Sequence, residues 1–434
     1  MEPNVVRVGI LGCGNVGAAL VQLVGEHGDT IAARSGARLE VVRVAVHDLS
    51  KPRAVTFADG VLTDDADALV VDPEVDVVVE LMGGMQPAHR LIRAALEAGK
   101  PVITANKEVI ASAGAELVQV AAKAGVDLLY EAAVAGAIPL MRPLRESLAG
   151  DRIRRVMGIV NGTTNFILTR MSDGGGSFAD ALAEAQALGY AEKDPTADVE
   201  GWDAAAKAAI IASVAFGVSV VADDVHREGI TGVTPDDIAM AARLGYVVKL
   251  LAVVEAVADP HGGASEVAVR VHPAMVPADH PLAAVREAYN AVFVEGAAAG
   301  ELMFYGRGAG GRPTASAVLG DLVDAAGNLR QGTAPSPAGL VPARIRPISE
   351  LSTQYYITID VLDRPGVLEK VAGATARHGV SILKMEQVGL GDEARLVLVT
   401  HTAAERDVQA TLAELRELDV VDRLGTLLRV IGPG

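Results

Sequence analysis

The segment 188–207 concentrates ionisable side chains just where an apolar helix is predicted to begin. A helix from about Asp198 onward would place Glu200, Asp203 and Lys207 at i, i+3 and i+7 on one face. The rest of that helix is almost wholly apolar, and charges on a buried helix are costly unless they serve chemistry or are well matched. The stripe is therefore a candidate active site, although a helix cap at Asp198 followed by a surface ion pair is an equally simple interpretation.

A glycine-rich turn near the start of the chain predicts a nucleotide site. It follows a predicted strand at 5–11 and opens a predicted helix that extends to about residue 33, which is the context of a dinucleotide-binding turn. There a pyrophosphate lies on the helix N-terminus, where backbone N–H groups and the helix dipole favour an anion. The G-x-G-x-x-G pattern assigns to this site Gly12, Gly14, Asn15, Val16 and Gly17.

The residues that follow the second predicted strand, which ends near residue 46, bear on the preference for NADP or NAD. His47, Lys51 and Arg53 follow it and could receive the 2′-phosphate of NADP. Asp48 could instead bind the free 2′-hydroxyl of NAD. Because three potential cations surround one carboxylate, the sequence favours NADP and leaves NAD open.

The composition of the chain limits its class and its partners. Its 434 residues, half of them apolar, suffice for two or three domains with sizeable cores. A formal net charge of −17 argues against binding to nucleic acid or to a membrane, so small molecules are the expected partners. The single cysteine, Cys13, allows no internal disulfide, and the longest uncharged run, 208–222, is shorter than the ~18 residues of a membrane span. We therefore expect a cytoplasmic protein.

The first 132 residues alternate short apolar runs with helical segments. Helices are predicted at 87–98 and 108–124, and strands at 5–11, 40–46, 75–81, 101–104 and 126–130. Such alternation predicts a Rossmann-like, doubly wound α/β sheet of parallel strands, which forms a nucleotide domain over residues 1–132.

The alternation ends after this domain. An α+β domain for catalysis and oligomerisation is predicted over 133–310, with helices at 178–188 and 199–216 and strands at 152–160, 247–256, 266–271 and 291–305. A glycine-rich loop at 306–315 leads into a helix at 315–329, so that residues 311–330 are expected to return to the nucleotide domain. Residues 331–351, rich in Pro, Gly and Ala in their first part, are predicted to be a linker.

Residues 352–434 predict a separate ferredoxin-like unit in the order βαββαβ. Its helices are predicted at 367–378 and 404–415, and its strands at 355–362, 381–388, 395–400 and 424–430. The turn Asp363-Arg364-Pro365-Gly366 would expose backbone donors at a helix N-terminus, as a ligand site requires. As topology alone, the unit could equally be a dimerisation module.

Together these motifs resemble homoserine dehydrogenase, in the single-function form that ends in an ACT regulatory domain. The resemblance covers essentially the whole chain. It depends on six ordered segments, namely Gly12–Gly17, Thr104–Lys107, Asn161–Leu168, Gly189–Lys207, Gly306–Ala315 and Asp363–Gly366. It implies the NAD(P)-dependent interconversion of L-aspartate 4-semialdehyde and L-homoserine, on the route to threonine and methionine.

The resemblance also implies roles for individual residues. Lys207 is similar in position to the family's proton donor, with Asp203 orienting it, and Lys107 is expected to assist proton transfer and to touch cofactor or substrate. Carboxylates suit the α-ammonium group of the substrate. The substrate-binding set is Glu192, Asp198, Asp203 and Thr163, and the cofactor-binding set gains Gly310. His47 stands where many relatives carry arginine.

Further ligands follow from the same resemblance. The carboxylate of Glu131 and the backbone carbonyls of Val134, Gly136 and Ile138 match the ligands of a sodium ion, and oxygen-only ligation suits such a hard cation. The turn at 363–366 resembles the ligand loop of ACT domains, for which L-threonine is the expected effector. The assembly is expected to be a homodimer or a homotetramer.

Three rival functions are weighed against this interpretation. An aspartate semialdehyde dehydrogenase needs a nucleophilic cysteine away from the glycine turn, yet the only cysteine, Cys13, lies within it. Another ACT-linked hydroxy-acid dehydrogenase would use a His/Glu pair and an arginine in place of the lysine and carboxylates. An amino-acid sensor with an inactive dehydrogenase fold is the non-enzymatic alternative, and the presence of Lys107 and Lys207 argues against such decay.

Overall fold

The computed structural model describes residues 4–257, 266–333, 339–389 and 393–432. These form two compact units, each assembled from three segments of the chain. The first unit comprises Met1–Val156, Ala206–Asp224 and Asn290–Ala343, and the second comprises Met157–Ala205, Val225–Tyr289 and Arg344–Gly434. Because each unit combines segments from more than one predicted domain, the domain bounds drawn from the sequence stay predictions.

A six-stranded parallel sheet in the first unit has the strand order β3-β2-β1-β4-β5-β6, which is that of dinucleotide-binding folds. Its elements are β1 Asn4–Leu11, α1 Asn15–Ser35, β2 Ala37–Ala45, β3 Leu62–Thr63, α2 Ala66–Val71, β4 Val77–Glu80, α3 Ala88–Glu97, β5 Val102–Thr104, α4 Lys107–Ala124 and β6 Leu128–Leu129. The predicted strands and helices of this region are confirmed. The sequence pattern missed only β3 and α2, which are too short to show a period.

The middle of the chain contains both helices and strands. They are β7 Ile153–Ile159, α5 Gly162–Gly174, α6 Phe178–Ala187, α7 Thr196–Val199, α8 Trp202–Phe216, β8 Val218–Ser219, β9 His226–Arg227, α9 Pro235–Arg243, β10 Tyr246–Ala256, β11 Glu266–Pro277, β12 Tyr289–Gly296, β13 Gly300–Arg307 and α10 Gly311–Gln331. The single strand predicted at 291–305 is wrong, because the chain turns between β12 and β13. The carboxylate of Asp151 accepts the backbone N–H groups of Ala298 and Ala299 at 2.9 and 2.8 Å, which stabilises that turn.

Helix α10 packs into the core of the nucleotide-binding sheet. Its apolar residues Val318 and Leu322 are fully buried in the same cluster as Val8 and Ile10 of β1. Those strand residues belong to nearly continuous apolar runs, as expected for a parallel sheet that is buried on both faces. The helix thus completes one layer of the sheet, although it lies about 300 residues after β1.

The single helix predicted at 199–216 is also wrong. Gly201 adopts a φ of +81°, a left-handed conformation that ends α7 and separates it from α8. Glu200 consequently lies outside α8, and its carboxylate accepts the hydroxyl of Thr231 at 3.0 Å. The proposed charged stripe therefore reduces to Asp203 and Lys207, one turn apart on α8.

The last part of the chain confirms the order βαββαβ. Its elements, after two short strands β14 Val341–Pro342 and β15 Arg344–Ile345, are β16 Ser352–Leu362, α11 Val367–Arg377, β17 Ile382–Gly389, β18 Glu393–Thr400, β19 Ala403–Ala404, α12 Glu405–Arg416 and β20 Val421–Val430. The predicted linker is more ordered than expected, since β14 pairs with β8 and β15 with β11. Residues 334–338 of that linker lie outside the described part of the chain.

One sheet of the second unit runs in the order β10-β11-β20-β16-β18-β17. Its last four strands are the ferredoxin-like sheet, and β20 joins them to β11 through the pairs Ala274↔Arg429 and Met275↔Val430. The β10–β11 pair is antiparallel over its whole length, from Tyr246 opposite Pro277 onward. No helix in the described ranges is long and apolar enough to cross a membrane.

Candidate active site

The glycine turn has the geometry that a pyrophosphate requires. Gly12 has a φ of +94°, and a Cβ atom on Gly17 would lie 2.4 Å from the carbonyl oxygen of Gly12, so neither position accepts a side chain. Gly14 caps α1 without a side-chain hydrogen bond, and both Gly14 and Asn15 are exposed. The first turn of α1 therefore presents backbone donors to a ligand.

The predicted cofactor residue Gly310 lies next to this turn. It caps α10 with a φ of +130°, and a Cβ on the following Gly311 would lie 3.1 Å from the carbonyl oxygen of Asn15. Close backbone contact of this kind brings the N-terminal ends of two helices to one place. Both helix ends favour a bound anion.

The basic side chains that are expected to determine the coenzyme preference come after β2 in the chain. His47 and Lys51 are exposed, whereas Arg53 is half-buried. Burial raises the pKa of the Cys13 thiol, and the charge of Arg53 opposes that shift. The carboxylate of Asp48 accepts both the backbone N–H and the hydroxyl of Ser50, at 2.8 and 2.6 Å.

Lys107 begins α4 and is half-buried. The preceding Asn106 caps that helix, since its side-chain oxygen accepts the N–H of Val109 at 3.2 Å. A buried carboxylate, Glu80 at the end of β4, accepts the hydroxyl of Thr104 at 2.6 Å, and that hydroxyl oxygen accepts the N–H of Asn106 at 2.9 Å. This chain of hydrogen bonds orients the start of α4. Sequence reasoning missed Glu80, although a lone carboxylate ending an apolar strand was a visible signal.

Two of the predicted substrate carboxylates converge on one amide group in the second unit. The side-chain nitrogen of Asn161 donates to Asp198 at 2.7 Å and to Asp203 at 2.8 Å. Asn161 also caps α5, because its side-chain oxygen accepts the N–H of Thr164 at 2.9 Å. Asn161 and Asp203 are buried, and Asp198 is half-buried. Two carboxylates held this close concentrate negative charge, which favours a cationic ligand.

The other predicted substrate residues occupy different surroundings. Thr163 is buried, and its hydroxyl donates to the carbonyl oxygen of Tyr190 at 2.7 Å, so it does not cap α5. Glu192 is exposed. Asn161 begins one of the six segments that carry the family resemblance, but the sequence alone assigned it no role. An asparagine just before a helical segment is a cap signal that could have identified it.

The predicted sodium ligands lie in one buried turn of the first unit. Glu131 accepts the backbone N–H groups of Met141 at 2.7 Å and Arg142 at 2.9 Å, and also that of Leu140. Gly136 has a φ of +58°, and its Cβ would lie 2.3 Å from the carbonyl oxygen of Gly308. The described residues contain no group of three or more His, Cys, Asp or Glu arranged for a metal, so any cation here would need carbonyl oxygens in addition to the Glu131 carboxylate.

The parallel sheet and its open glycine turn define a dinucleotide-binding protein of the Rossmann type. The family profile described as homoserine dehydrogenase matches residues 139–323, and that of its NAD-binding domain matches residues 12–131. The profile of the ACT domain matches residues 355–420. The chain belongs to the homoserine dehydrogenase family, whose enzymes act on a CH–OH group with NAD or NADP.

The curated relatives match this chain over nearly its whole length, and the solved structures match all or most of it. The homoserine dehydrogenases of Mycobacterium tuberculosis strain H37Rv and Corynebacterium glutamicum are each 50% identical to this chain, covering 99% and 98% of it and 98% and 96% of their own lengths. A homoserine dehydrogenase structure from Thiobacillus denitrificans has a TM-score of 0.93 at 39% identity, covering 99% of this chain and 98% of its own. A hyperthermophilic archaeal homoserine dehydrogenase solved in complex with NADPH has a TM-score of 0.63 at 30% identity, covering 74% and 97%. The predicted fold class, activity and nicotinamide cofactor are confirmed, whereas the roles of single residues stay predictions.

Proposed function

We propose that the carboxylates of Asp198 and Asp203 bind the α-ammonium group of L-aspartate 4-semialdehyde. The observation that supports this role is the shared hydrogen-bond donor, the Asn161 amide, which holds both carboxylates within 2.8 Å of one nitrogen. Charge-assisted hydrogen bonds to such a pair would orient the substrate as well as bind it. Glu192, which is exposed, is proposed as a further carboxylate contact, and the Thr163 hydroxyl oxygen as an acceptor.

Lys207 is the proposed proton donor. The coenzyme, when bound, supplies the hydride that the aldehyde carbon receives. Negative charge then develops on the aldehyde oxygen, and transfer of one proton from Lys207 completes the hydroxyl group of L-homoserine. Asp203, one helical turn before Lys207, would orient the lysine, and Lys107 would assist the transfer.

NADP is the proposed coenzyme, with NAD as an alternative. The 2′-phosphate would meet Arg53, Lys51 and His47, and a planar guanidinium suits a phosphate group. The electrostatic effect of Arg53 on Cys13, which lies within the glycine turn, supports this choice. Steady-state rates on aspartate semialdehyde with NADPH and with NADH would test it. No rate with either coenzyme would contradict the enzymatic role and favour the inactive sensor.

The role of the carboxylates has its own test. In Asp203→Asn we expect kcat/KM for aspartate semialdehyde to fall at least tenfold, roughly the value of one hydrogen bond to a charged group, while the Kd of NADPH stays unchanged. Asp194→Asn is the matched control, because Asp194 lies in the same segment, is exposed and bonds only to Thr196 in the hydrogen bonds described here. An equal loss of NADPH affinity in Asp203→Asn would place this residue in the cofactor site or in the fold.

A sodium ion is proposed at the turn that begins with Glu131. Its carboxylate accepts three backbone N–H groups, and a carboxylate has about four acceptor positions, so capacity for one cation is left. Val134, Gly136 and Ile138 would add carbonyl oxygens. The thermal midpoint should then be higher in sodium chloride than in choline chloride at equal ionic strength, and Glu131→Gln should remove the difference.

L-Threonine is the proposed effector, bound at the turn 363–366 between paired ACT units of a homodimer or homotetramer. A cavity of about 430 Å³ lies at this turn, lined by Asp363, Gly366 and Gln387 among others. Gly366 caps α11 without a side-chain hydrogen bond, so backbone donors face the cavity end of the helix. Strand β17 is an edge of its sheet and exposes Leu383 and Met385, which suits pairing with a second copy.

A further inference from the structure

Arg429, near the end of the chain, bridges two carboxylates inside the second unit. Its side chain is only 3% exposed. Two of its nitrogens donate to Glu405 of α12 at 2.9 Å each, and a third donates to Glu228 at 2.9 Å. Glu405 in turn accepts the hydroxyl of Tyr355 at 2.9 Å. Tyr355, Glu405 and Arg429 lie on β16, α12 and β20 of the ferredoxin-like unit, which contains the residues that match the ACT domain, whereas Glu228 follows β9 in the middle of the chain.

Glu228 lies in a segment, residues 226–231, that is attached to β11. Strand β9 pairs with β11, and the N–H of Glu228 donates to the carbonyl of Val271 at 2.8 Å. Burial alone would raise the pKa of Glu228, but hydrogen bonds from His226 and Arg429 hold it well below its ordinary value. The carboxylate therefore keeps its charge, and Arg429 connects this segment to the ACT domain.

The segment 226–231 also holds the backbone between the two substrate carboxylates. A Cβ on Gly229 would lie 2.4 Å from the carbonyl oxygen of Val199 and 2.7 Å from the Cα of Glu200, so the two backbones touch. The N–H of Ile230 donates to the same Val199 oxygen at 2.8 Å. The Arg227 guanidinium lies over the ring of Trp202. The first and the last of residues 199–202 thus both contact the segment 226–231.

These contacts form a continuous path. Asp198 precedes and Asp203 follows the held residues 199–202, and Asn161 joins the two carboxylates. A shift of Glu228 would move Gly229 against a backbone that has no free space, and this would change the spacing of the carboxylates. Every residue on the path from Arg429 to Asp203 belongs to the same compact unit.

We propose that Glu228 and Arg429 are positioning residues, through which the ACT domain sets the spacing of Asp198 and Asp203 and hence the affinity for the amino-acid substrate. This proposal depends on the proposed role of those carboxylates. It gives the effector domain a physical connection to the substrate site that needs no change at the glycine turn. Coupling of this kind is worth between about 5-fold and 150-fold in affinity.

Kinetics of Glu228→Gln and Arg429→Lys would test the proposal. Glutamine keeps the shape but not the charge, and lysine keeps the charge but cannot bridge two carboxylates. In each variant the KM for aspartate semialdehyde should rise about tenfold, with kcat and the Kd of NADPH within about twofold of the wild type. Arg395→Gln is the control, because it breaks the ion pairs of an ACT arginine with Asp360 and Asp236 without touching residues 226–231. An equal rise of KM in the control would reduce the effect to general ACT packing and overturn the proposal.

A double variant separates this proposal from the one it depends on. If Glu228 acts through Asp203, the effect of Glu228→Gln on KM should largely disappear in an Asp203→Asn background. Unchanged KM in Asp203→Asn alone would contradict the proposed substrate site. If KM rises in Asp203→Asn but stays at the wild-type value in Glu228→Gln, the substrate site stands and only the positioning role of Glu228 is contradicted. If Glu228→Gln fails to fold, Thr231→Val, which removes one exposed hydrogen bond to Glu200, should raise KM about twofold by the same route.

Discussion

Asn161 illustrates, at the scale of single residues, how one neutral side chain can organise charged ones. Its oxygen is used to cap α5, so the orientation of its amide is set, and the nitrogen must then point to the two carboxylates. Because the donor is neutral, it holds Asp198 and Asp203 together without cancelling their charge. A lysine or arginine in this position would neutralise the pair and compete with a substrate ammonium group.

The first prediction concerns Lys207. Replacing it by alanine should lower kcat by roughly 10²-fold, the usual contribution of a general acid, while the fold and NADPH binding are kept. Lys193→Ala is a suitable control, since Lys193 is an exposed lysine a short distance before it in the chain. Stopped-flow or steady-state rates under saturating substrate would measure the effect. A kcat of Lys207→Ala close to that of the wild type would show that Lys207 is not the proton donor.

The second prediction concerns the coenzyme. His47 is exposed just after β2, on the approach to the glycine turn. His47→Arg should raise the ratio of kcat/KM for NADPH over NADH, because it adds a permanent cation for the 2′-phosphate. The same substitution at His27, which lies within α1, serves as the control for added charge. A ratio that does not move in His47→Arg would mean that the ribose binds elsewhere.

A buried lysine joins two elements of the second unit. Lys249, in the middle of β10, is 2% exposed and donates to the side-chain oxygen of Asn165 on α5 at 3.0 Å and to the carbonyl of Val285. Asn165 donates in turn to the carbonyl of Glu287 at 2.9 Å. These bonds attach α5, the helix that Asn161 caps, to the sheet and to the loop before β12.

The third prediction follows from the cost of burying that charge. Burial, aided by repulsion from Arg286, lowers the pKa of Lys249 to about 8. The unfolded chain then binds more protons than the folded one between pH 8 and about 10.5, so this group makes stability rise with pH across that window, by roughly 3 kcal/mol at most. Urea unfolding of the wild type and Lys249→Met at both ends of the window would show a gain that the variant lacks. Equal gains would mean that burial does not lower the pKa of Lys249.

At the scale of the whole molecule, the ACT domain is not a detachable appendage. Strand β20 pairs directly with β11, and β15 pairs with the other end of β11. A chain truncated near Arg344 would expose the edge of β11 and invite aggregation. A point substitution in the full chain therefore tests regulation more cleanly than truncation does.

The fourth prediction is such a substitution. Gly366→Asp should leave the basal rate intact and abolish inhibition by millimolar threonine, since it blocks the turn and adds a charge at the start of α11. Gly379→Asp is matched to it, because Gly379 also has a positive φ and open space, but lies at the other end of the same helix. Inhibition that persists in Gly366→Asp would place the effector elsewhere. If threonine does not inhibit the wild type, the ACT domain would serve only in assembly and in positioning the substrate carboxylates.

The sequence by itself determined the alternating elements of the nucleotide sheet, the glycine turn, the βαββαβ unit and the family. These follow from local period and from motifs whose residues are close in the chain, so few competing structures satisfy them. Helix α5 was missed because it is buried almost all round, which removes the alternation that reveals a surface helix.

Only the tertiary structure decided which charged groups meet. The residues that Asn161 bridges are 37 and 42 positions away, Lys249 and Asn165 are 84 apart, and Arg429 reaches Glu228 across 201. No local pattern specifies such pairs, because they depend on how whole elements pack. Gly201 shows the converse, since one left-handed residue removed Glu200 from a helical face that spacing alone predicted. Packing and backbone conformation, acting over long separations, therefore determined the site within the elements that local sequence had already chosen.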